Sequence, residues 1–334
     1  MPGTLTLKPN IALGIVPTHL GFIDGLVPDE NGSLPRESDG RIAVVAEMSR
    51  ICSLSPVRPT CIQVSLFPGT GEADIAEMIA GLKALHLDVH LIMMVGGANP
   101  MDPANEDAVI GQLIPSLRAA VKFGAVTVGS TSIEEWMNGP EDMDLETAIA
   151  QNVKLHIRAV KEAGLLDSEI SSWHIEFLRP VEFKTFTNIE KAWGFIKAIN
   201  KELGRDYFKL LIDSAHMGDS GLSIAENQRL IAELAEAGHM GIFHASAKTT
   251  RGCLSTDDGW IGATLSAAAR TGKLETVFVE AFRHDDPALE ALRNAVPGHG
   301  VDTTDGRSYT QVIIDGLVET AHRLNNLKAR GFLD

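Results

Sequence analysis

Eight short apolar runs, rich in β-branched or aromatic residues, alternate with longer amphipathic stretches from about residue 10 onward. Gly, Pro, Ser or Asp bounds each run, which is the pattern of strands that are buried on both faces. Strands are predicted at residues 11–16, 61–67, 89–95, 126–129, 173–178, 208–213, 241–245 and 276–282. Because strands separated by helical crossovers pair in parallel, the sequence predicts an α/β protein with a parallel sheet.

The stretches between these runs repeat apolar residues at helical spacing. Residues 145–164, 189–204 and 224–238 each end on a glycine, which is a common helix stop. Eight strand–helix units in 334 residues close most simply into one (β/α)8 TIM barrel, so a single barrel domain is expected over residues 1–334. The alternative is an open doubly wound sheet, but the turn Gly69-Thr70-Gly71 lacks the third glycine of a dinucleotide-binding loop.

Two segments lie outside the eight units. Residues 28–40 (PDENGSLPRESDG) form a polar loop after the first strand, which places the loop on the face where barrels carry their active sites. Residues 309–333 are predicted as an additional C-terminal helix, with apolar residues that include Val312, Ile313 and Leu317. This helix is expected either to cover the barrel or to form a subunit contact.

Composition excludes several classes of partner. The formal net charge of −15 argues against nucleic-acid and membrane-surface binding, since both attract basic patches. There is neither an apolar run of 18 residues nor an apolar N-terminal segment, so no membrane span or signal peptide is expected. The three cysteines, Cys52, Cys61 and Cys253, are scattered, which excludes a disulfide framework and fits a cytoplasmic location.

Ionisable residues lie inside or close four of the predicted strands: Glu176, Asp213, His244 and Glu280. Their intervals of 37, 31 and 36 residues are each about one strand–helix unit, so the side chains are expected to meet at one mouth of the barrel. Burying unpaired carboxylates is costly, and a divalent cation would turn each of them into a ligand. Three oxygens and one nitrogen favour Mn²⁺, with Mg²⁺ or Co²⁺ as alternatives, over a closed zinc site.

These strand ends resemble the xylose isomerase-like TIM-barrel superfamily. The pattern is most similar to its D-tagatose 3-epimerase, hydroxypyruvate isomerase and inosose dehydratase relatives, because IDSAHM (212–217) is similar to their D-T-x-H-M segment and VFVEAF (277–282) to their strand-eight glutamate. Arg251 and Glu182 stand where the epimerases carry an arginine and a second acidic residue. The resemblance covers roughly residues 171–283. It implies a metal-dependent isomerase or epimerase of a ketose or related polyol.

Proton transfer next to a carbonyl is the chemistry expected of this site. Removing a proton from carbon beside a C=O leaves an enediolate, which a metal ion stabilises. Glu176 and Glu280 are the expected acid–base pair on opposite faces of that carbon. His174, on the same side of its strand as Glu176, is either a third catalytic group or a support for the glutamate.

The predicted substrate-binding residues are His216, Arg251, Glu182, Lys248 and His19, and Glu182 is expected to hold Arg251 through a bidentate pair. The loop at 283–286 is acidic and lacks glycine, which favours a non-phosphorylated substrate. The remaining helical histidines, His86, His156, His239 and His322, are predicted to lie on the surface.

Other functions remain open at this point. The same scaffold could support a lyase that acts on a keto-sugar or keto-inositol, similar to inosose dehydratase or to the catalytic subunit of a C-glycoside deglycosidase, which would add a small second subunit. DNA phosphodiester cleavage is opposed by the net charge. A metal-free binding protein is a further alternative. The expected partner is a small carbohydrate, and a homo-oligomer is expected.

Overall fold

Eight parallel strands close into one barrel in chain order, and the first strand pairs with the eighth. The computed structural model describes residues 4–17, 26–67, 69–141, 143–247, 257–281, 290–295 and 307–334. The strands are β1 (Ala12–Val16), β2 (Cys61–Ser65), β3 (Asp88–Met93), β4 (Val128–Ser130), β5 (Trp173–Ile175), β6 (Phe208–Asp213), β7 (Met240–Ala245) and β8 (Thr276–Glu280). The closed barrel confirms the predicted fold and excludes the open doubly wound sheet.

Helices follow the strands and surround the barrel. The described α-helices are α1 (Ala43–Leu54), α2 (Glu72–Ala84), α3 (Glu106–Phe123), α4 (Leu145–Ala163), α5 (Ile189–Leu203), α6 (Ser214–Asp219), α7 (Ile224–Glu236), α8 (Trp260–Arg270), α9 (Glu290–Ala295) and α10 (Tyr309–Ala329). Gly164 and Gly204 end α4 and α5 in the left-handed conformation, both with φ of 68°, as their predicted role as helix stops requires. None of the helices in the described ranges is long and apolar enough to cross a membrane.

The core has two parts because alternate residues of each strand face opposite sides of the sheet. The larger part lies between the barrel and the helices. A smaller apolar cluster alternates with it along the strands and therefore fills the inside of the barrel; its buried members are Val16, Cys61, Leu211, Ile242 and Phe278. This internal cluster lies between the polar groups at the two ends of the barrel.

The additional C-terminal helix α10 covers the barrel. It packs against β1, β8, α1 and α8, with Val312, Ile313 and Leu317 buried. The structure thus shows the first of the two predicted roles, which was to cover the barrel.

The loop at 28–40 lies against the start of α2. Arg36 pairs with Asp74 at 2.9 Å and with Glu77 at 2.8 Å, and Asp74 also accepts a hydrogen bond from the backbone N–H of Leu34. Because α2 begins beyond the carboxyl end of β2, these contacts hold the loop at that face of the barrel.

Two of the four helical histidines differ from their predicted surface position. His86 and His322 are exposed, whereas His156 and His239 are buried. The ring of His156 bonds to Ser132 Oγ and to the backbone carbonyl of Asn152, both at 2.8 Å. Burial lowers the pKa of His156 to about 4. A buried polar partner thus allows a histidine to occupy the core face of a helix, which the sequence pattern of α4 alone did not indicate.

Candidate metal centre

The four ionisable strand-end residues come together at the carboxyl end of the barrel. Glu176 directly follows β5, Asp213 ends β6, His244 lies in β7 and Glu280 ends β8. All four are buried, and each offers a ligand atom within 4.8 Å of those of the others. His244 Nδ1 lies 3.5 Å from Glu280 Oε1 and 3.9 Å from both Glu176 Oε1 and Asp213 Oδ2.

Strand register explains this convergence. Asp213 stands directly opposite His244 across the β6–β7 pair, and Glu280 lies two residues after Phe278 of the internal apolar cluster. Residues two apart on a strand face the same side, so these side chains point into the barrel above the apolar cluster. Asp213 also begins α6, since its Oδ1 accepts the backbone N–H of His216 at 2.8 Å.

The donor set fits a divalent cation. Three carboxylates and one imidazole share a buried volume in which their mutual repulsion and desolvation are costly unless positive charge is present. His244 Nδ1, which faces the carboxylates, makes no hydrogen bond within the described part of the chain, while Nε2 is bonded elsewhere. Oxygen-rich sites with one imidazole suit Mn²⁺, Mg²⁺ or Co²⁺. These four residues would therefore hold the ion.

His216 lies beside this centre. It is fully buried in α6, with Nε2 3.2 Å from Glu176 Oε1 and Nδ1 3.9 Å from Glu182 Oε2. The structure thus places the predicted substrate-binding residue His216 next to the predicted metal ligand Glu176, and Glu182 on the other side of His216.

Glu182 has partners that the sequence reasoning did not assign to it. Its Oε2 accepts from Arg179 Nε at 2.9 Å, and its Oε1 accepts from Trp136 Nε1 at 3.1 Å. Arg179, itself buried, also pairs with Asp219 at 3.0 Å. The available signal was an arginine three residues before Glu182 in an otherwise apolar stretch, which is a spacing that suits a local ion pair. The predicted partner Arg251 lies outside the described residues.

A buried carboxylate anchors the loop that carries Glu182. Glu134 accepts hydrogen bonds from the backbone N–H groups of Lys184, Thr185 and Phe186 at 2.6–3.2 Å. Burial raises the pKa of Glu134, while these three donors act in the opposite direction. The loop is therefore held by its own backbone as well as by the Arg179–Glu182 pair.

His174 is not part of the four-residue group, although it precedes Glu176 by two residues. Its Nε2 bonds to Ser172 Oγ at 2.6 Å, and its Nδ1 accepts the backbone N–H of Ile242 at 3.1 Å. Burial lowers its pKa well below the ordinary value, with smaller contributions from Lys209, His90 and His244. The ring lines a polar cavity of about 190 Å³ among residues that begin the strands, at the amino end of the barrel.

Three predicted substrate-binding residues, His19, Lys248 and Arg251, lie outside the described residues, as does the loop at 283–286. Within the described residues, the four predicted ligands come from the carboxyl ends of β5–β8, and α6 and the loop that follows β5 contribute neighbouring residues.

No protein-family model matches the chain, and no curated protein matches its sequence. Among solved structures, the fold is similar to D-allulose 3-epimerase from Methylomonas sp., with a TM-score of 0.70 and 15% identity over 96% of this chain and 100% of that one. It is also similar to 3-keto-D-glucoside 4-epimerase from E. coli, with a TM-score of 0.56 and 13% identity over 86% of this chain and 97% of that one.

A xylose isomerase domain protein from Planctomyces limnophilus has a TM-score of 0.56 and 14% identity, over 86% of this chain and 94% of the other. At these identities the likeness is one of fold. The predicted resemblance to xylose isomerase-like barrels is confirmed at that level.

Proposed function

We propose that the protein is a divalent-metal-dependent isomerase or epimerase of a ketose or a related non-phosphorylated polyol. The observation that carries this proposal is the buried group of Glu176, Asp213, His244 and Glu280 at the carboxyl end of a closed barrel. This is the face on which enzymes of this architecture place their active sites. Structures of similar fold are named as sugar epimerases, which supports the substrate class.

The bound cation would supply positive charge beside a carbonyl oxygen and would orient that oxygen and the neighbouring hydroxyl. Glu176 and Glu280 exchange the proton. They come from the ends of β5 and β8, which are not neighbours in the barrel, so their carboxylates approach a bound carbon from different sides. Each carboxylate has two oxygens, so one oxygen can serve as a ligand while the other gives or takes a proton.

The outcome depends on where the proton returns. One glutamate removes the proton from the carbon beside the carbonyl, and the other, in its protonated form, delivers a proton. Delivery to the opposite face of the same carbon inverts that centre, and delivery to the neighbouring carbon interconverts an aldose and a ketose. His216, 3.2 Å from Glu176 Oε1, holds that carboxyl group in place and contacts the substrate oxygen beside it.

We assign His174 a structural role in the barrel interior, through contacts other than Glu176, in place of the acid–base role that the sequence left open. Both of its ring nitrogens are bonded within the protein, one to a hydroxyl and one to a backbone N–H. A group engaged in this way is poorly placed to exchange protons with a substrate at the other end of the barrel.

Solvent deuterium tests the proposal directly. The protein is loaded with Mn²⁺ and incubated with a panel of ketoses in D₂O, and the sugars are analysed by NMR and mass spectrometry. We expect one deuterium per turnover beside the carbonyl together with a new epimer or isomer, and no exchange after chelation. Glu280→Gln should abolish the formation of the new epimer or isomer, whereas Glu202→Gln, which alters an exposed residue of α5, should not.

The lyase alternative shares the first proton transfer and differs in the product. Its support is the similarity of fold to a 3-keto-D-glucoside epimerase, because a 3-keto group activates the neighbouring carbon in the same way. Incubation with 3-keto-sugars distinguishes the two functions, since a lyase releases an unsaturated sugar with an ultraviolet absorbance. Full deuterium exchange by the chelated protein, or a wild-type protein that binds no divalent cation, would overturn both.

A further inference from the structure

Gln63 reaches His244 across the inside of the barrel. It lies in β2, while His244 lies in β7, and β1 and β8 stand between these strands. Gln63 is 1% exposed, and its Oε1 is 2.9 Å from His244 Nε2. This hydrogen bond joins an amide side chain to an imidazole that lies 181 positions later in the chain.

The two ring nitrogens of His244 face different surroundings. Nδ1 points at the three carboxylates, 3.5–3.9 Å away, and Nε2 points at Gln63. In a neutral imidazole one nitrogen carries the proton and the other offers a lone pair. A metal ligand must offer its lone pair, so ligation through Nδ1 requires the proton on Nε2, where the amide oxygen of Gln63 accepts it.

The packing around Gln63 favours this arrangement. A Cβ atom at Gly129 of β4 would lie 3.3 Å from Gln63 Nε2, which is tight, so the absent side chain makes room for the amide. On the other side, the Phe278 ring meets His244 edge-on, with ring centroids 6.0 Å apart. The imidazole is therefore held between an apolar ring and one polar partner.

We propose that Gln63 is a positioning residue that keeps His244 in the Nε2–H tautomer and thereby sets the affinity of the centre for its cation. The inference rests on the proposed metal-dependent function. Outer partners of metal-bound histidines change metal affinity by about 10- to 100-fold when they are replaced. Gln63 does not touch the substrate in this assignment, so its effect is on ion binding.

Metal binding without substrate tests the assignment. The dissociation constant for Mn²⁺ is measured by titration with electron paramagnetic resonance detection for the wild type, Gln63→Met and Gln63→Glu. We expect Gln63→Met to weaken binding about 10- to 100-fold, and Gln63→Glu, which keeps an acceptor oxygen, to bind at least as well as the methionine variant and within about tenfold of the wild type. Gln151→Met is the matched control, because it replaces a buried glutamine of α4, outside the barrel.

The tautomer provides a second readout that needs no variant. In ¹⁵N-histidine-labelled protein without metal, where no ligand bond fixes the tautomer, long-range proton–nitrogen correlation should show the His244 proton on Nε2. A proton on Nδ1, or equal Mn²⁺ affinity in wild type and Gln63→Met, overturns the role of Gln63 and leaves the proposed function standing. A wild-type protein that binds no divalent cation removes the proposed function as well. Should Gln63→Met fail to fold, the tautomer measurement decides.

Discussion

The two ends of the barrel interior are both polar and both buried, but they are built from different chemistry. At the amino end, His90 bonds to Thr127 Oγ1 at 2.7 Å and His174 to Ser172, so neutral rings meet neutral hydroxyls. At the carboxyl end, carboxylates crowd around His244. The internal apolar cluster lies between the two.

The two ends differ in whether hydrogen bonds within the protein are enough to offset the burial of their polar groups. A neutral imidazole with a hydroxyl or backbone partner costs little to bury, and burial lowers the pKa of His90 to about 4, which keeps it neutral. Several carboxylates in one buried volume are different, because no rearrangement of neutral partners removes their charge. The hydrogen bonds of the amino end are those of a structural core, while the donor set of the carboxyl end could bind a divalent cation.

The largest expected effect is on turnover, and it should distinguish Glu176 from His174 in the same chain segment. Glu176→Gln should lower turnover about 10³-fold or more, since it removes one of the two groups that we propose to exchange the proton. His174→Gln, two residues earlier, should keep turnover within about tenfold and lower stability instead, because its ring only bonds within the protein. Steady-state kinetics and urea unfolding of both variants measure this. A loss of turnover in His174→Gln without a loss of stability would restore its catalytic role.

Metal addition should raise the free energy of unfolding through the predicted ligands at the carboxyl end. A cation present at 100 times its dissociation constant adds about 2.7 kcal/mol to the free energy of unfolding if it binds only the folded state. Asp213→Asn should lose most of this increment. Ser172→Ala removes a partner of His174 at the amino end. It should lower the free energy of unfolding without metal but keep the increase that the metal adds. Urea unfolding with Mn²⁺ and with chelator gives both values, and equal increments in the two variants would contradict the assignment of Asp213 as a ligand.

Acid should destabilise the protein through its buried neutral histidines. His90 and His156 have a pKa of about 4 in the folded state, below the ordinary value of 6.5, so the unfolded chain binds protons first as the pH falls. The free energy of unfolding therefore falls as the pH drops through 6.5 towards 4, by about 1.4 kcal/mol per histidine at pH 5.5.

Urea unfolding between pH 8 and 5.5, in chelator, tests this dependence. His90→Gln should reduce the change in the free energy of unfolding with pH. His86→Gln, at an exposed position, should leave this pH dependence as it is in the wild type. A slope unchanged in His90→Gln would mean that this ring is already protonated in the folded state.

The smallest expected effect concerns Glu182, which we predict to contact the substrate. Trp136→Phe keeps an aromatic ring but removes the hydrogen bond to Glu182, worth about 1 kcal/mol, so KM should rise about fivefold with kcat little changed. Trp193→Phe removes the same kind of bond, to His239, on the outside of the barrel and should leave KM unaltered. Equal KM values in wild type and Trp136→Phe would argue against Glu182 as a substrate contact.

The local pattern was enough to predict the barrel and the four candidate ligands. Glu176 and Glu280 were visible because each interrupts an apolar strand run, and strand ends of a parallel barrel must meet at one face. The helix stops at Gly164 and Gly204 were visible because a left-handed residue after a helix favours glycine.

Partners that depend on barrel closure were not visible in the same way. The sequence by itself determined which residue types sit at which strand ends, since periodicity and spacing are properties of neighbouring residues. Only the tertiary structure decided that Gln63 meets His244, that Arg179 pairs with Asp219, and that His156 is buried beside Ser132. Such pairs form where segments that are distant in the chain pack together. Local periodicity and spacing therefore do not predict them.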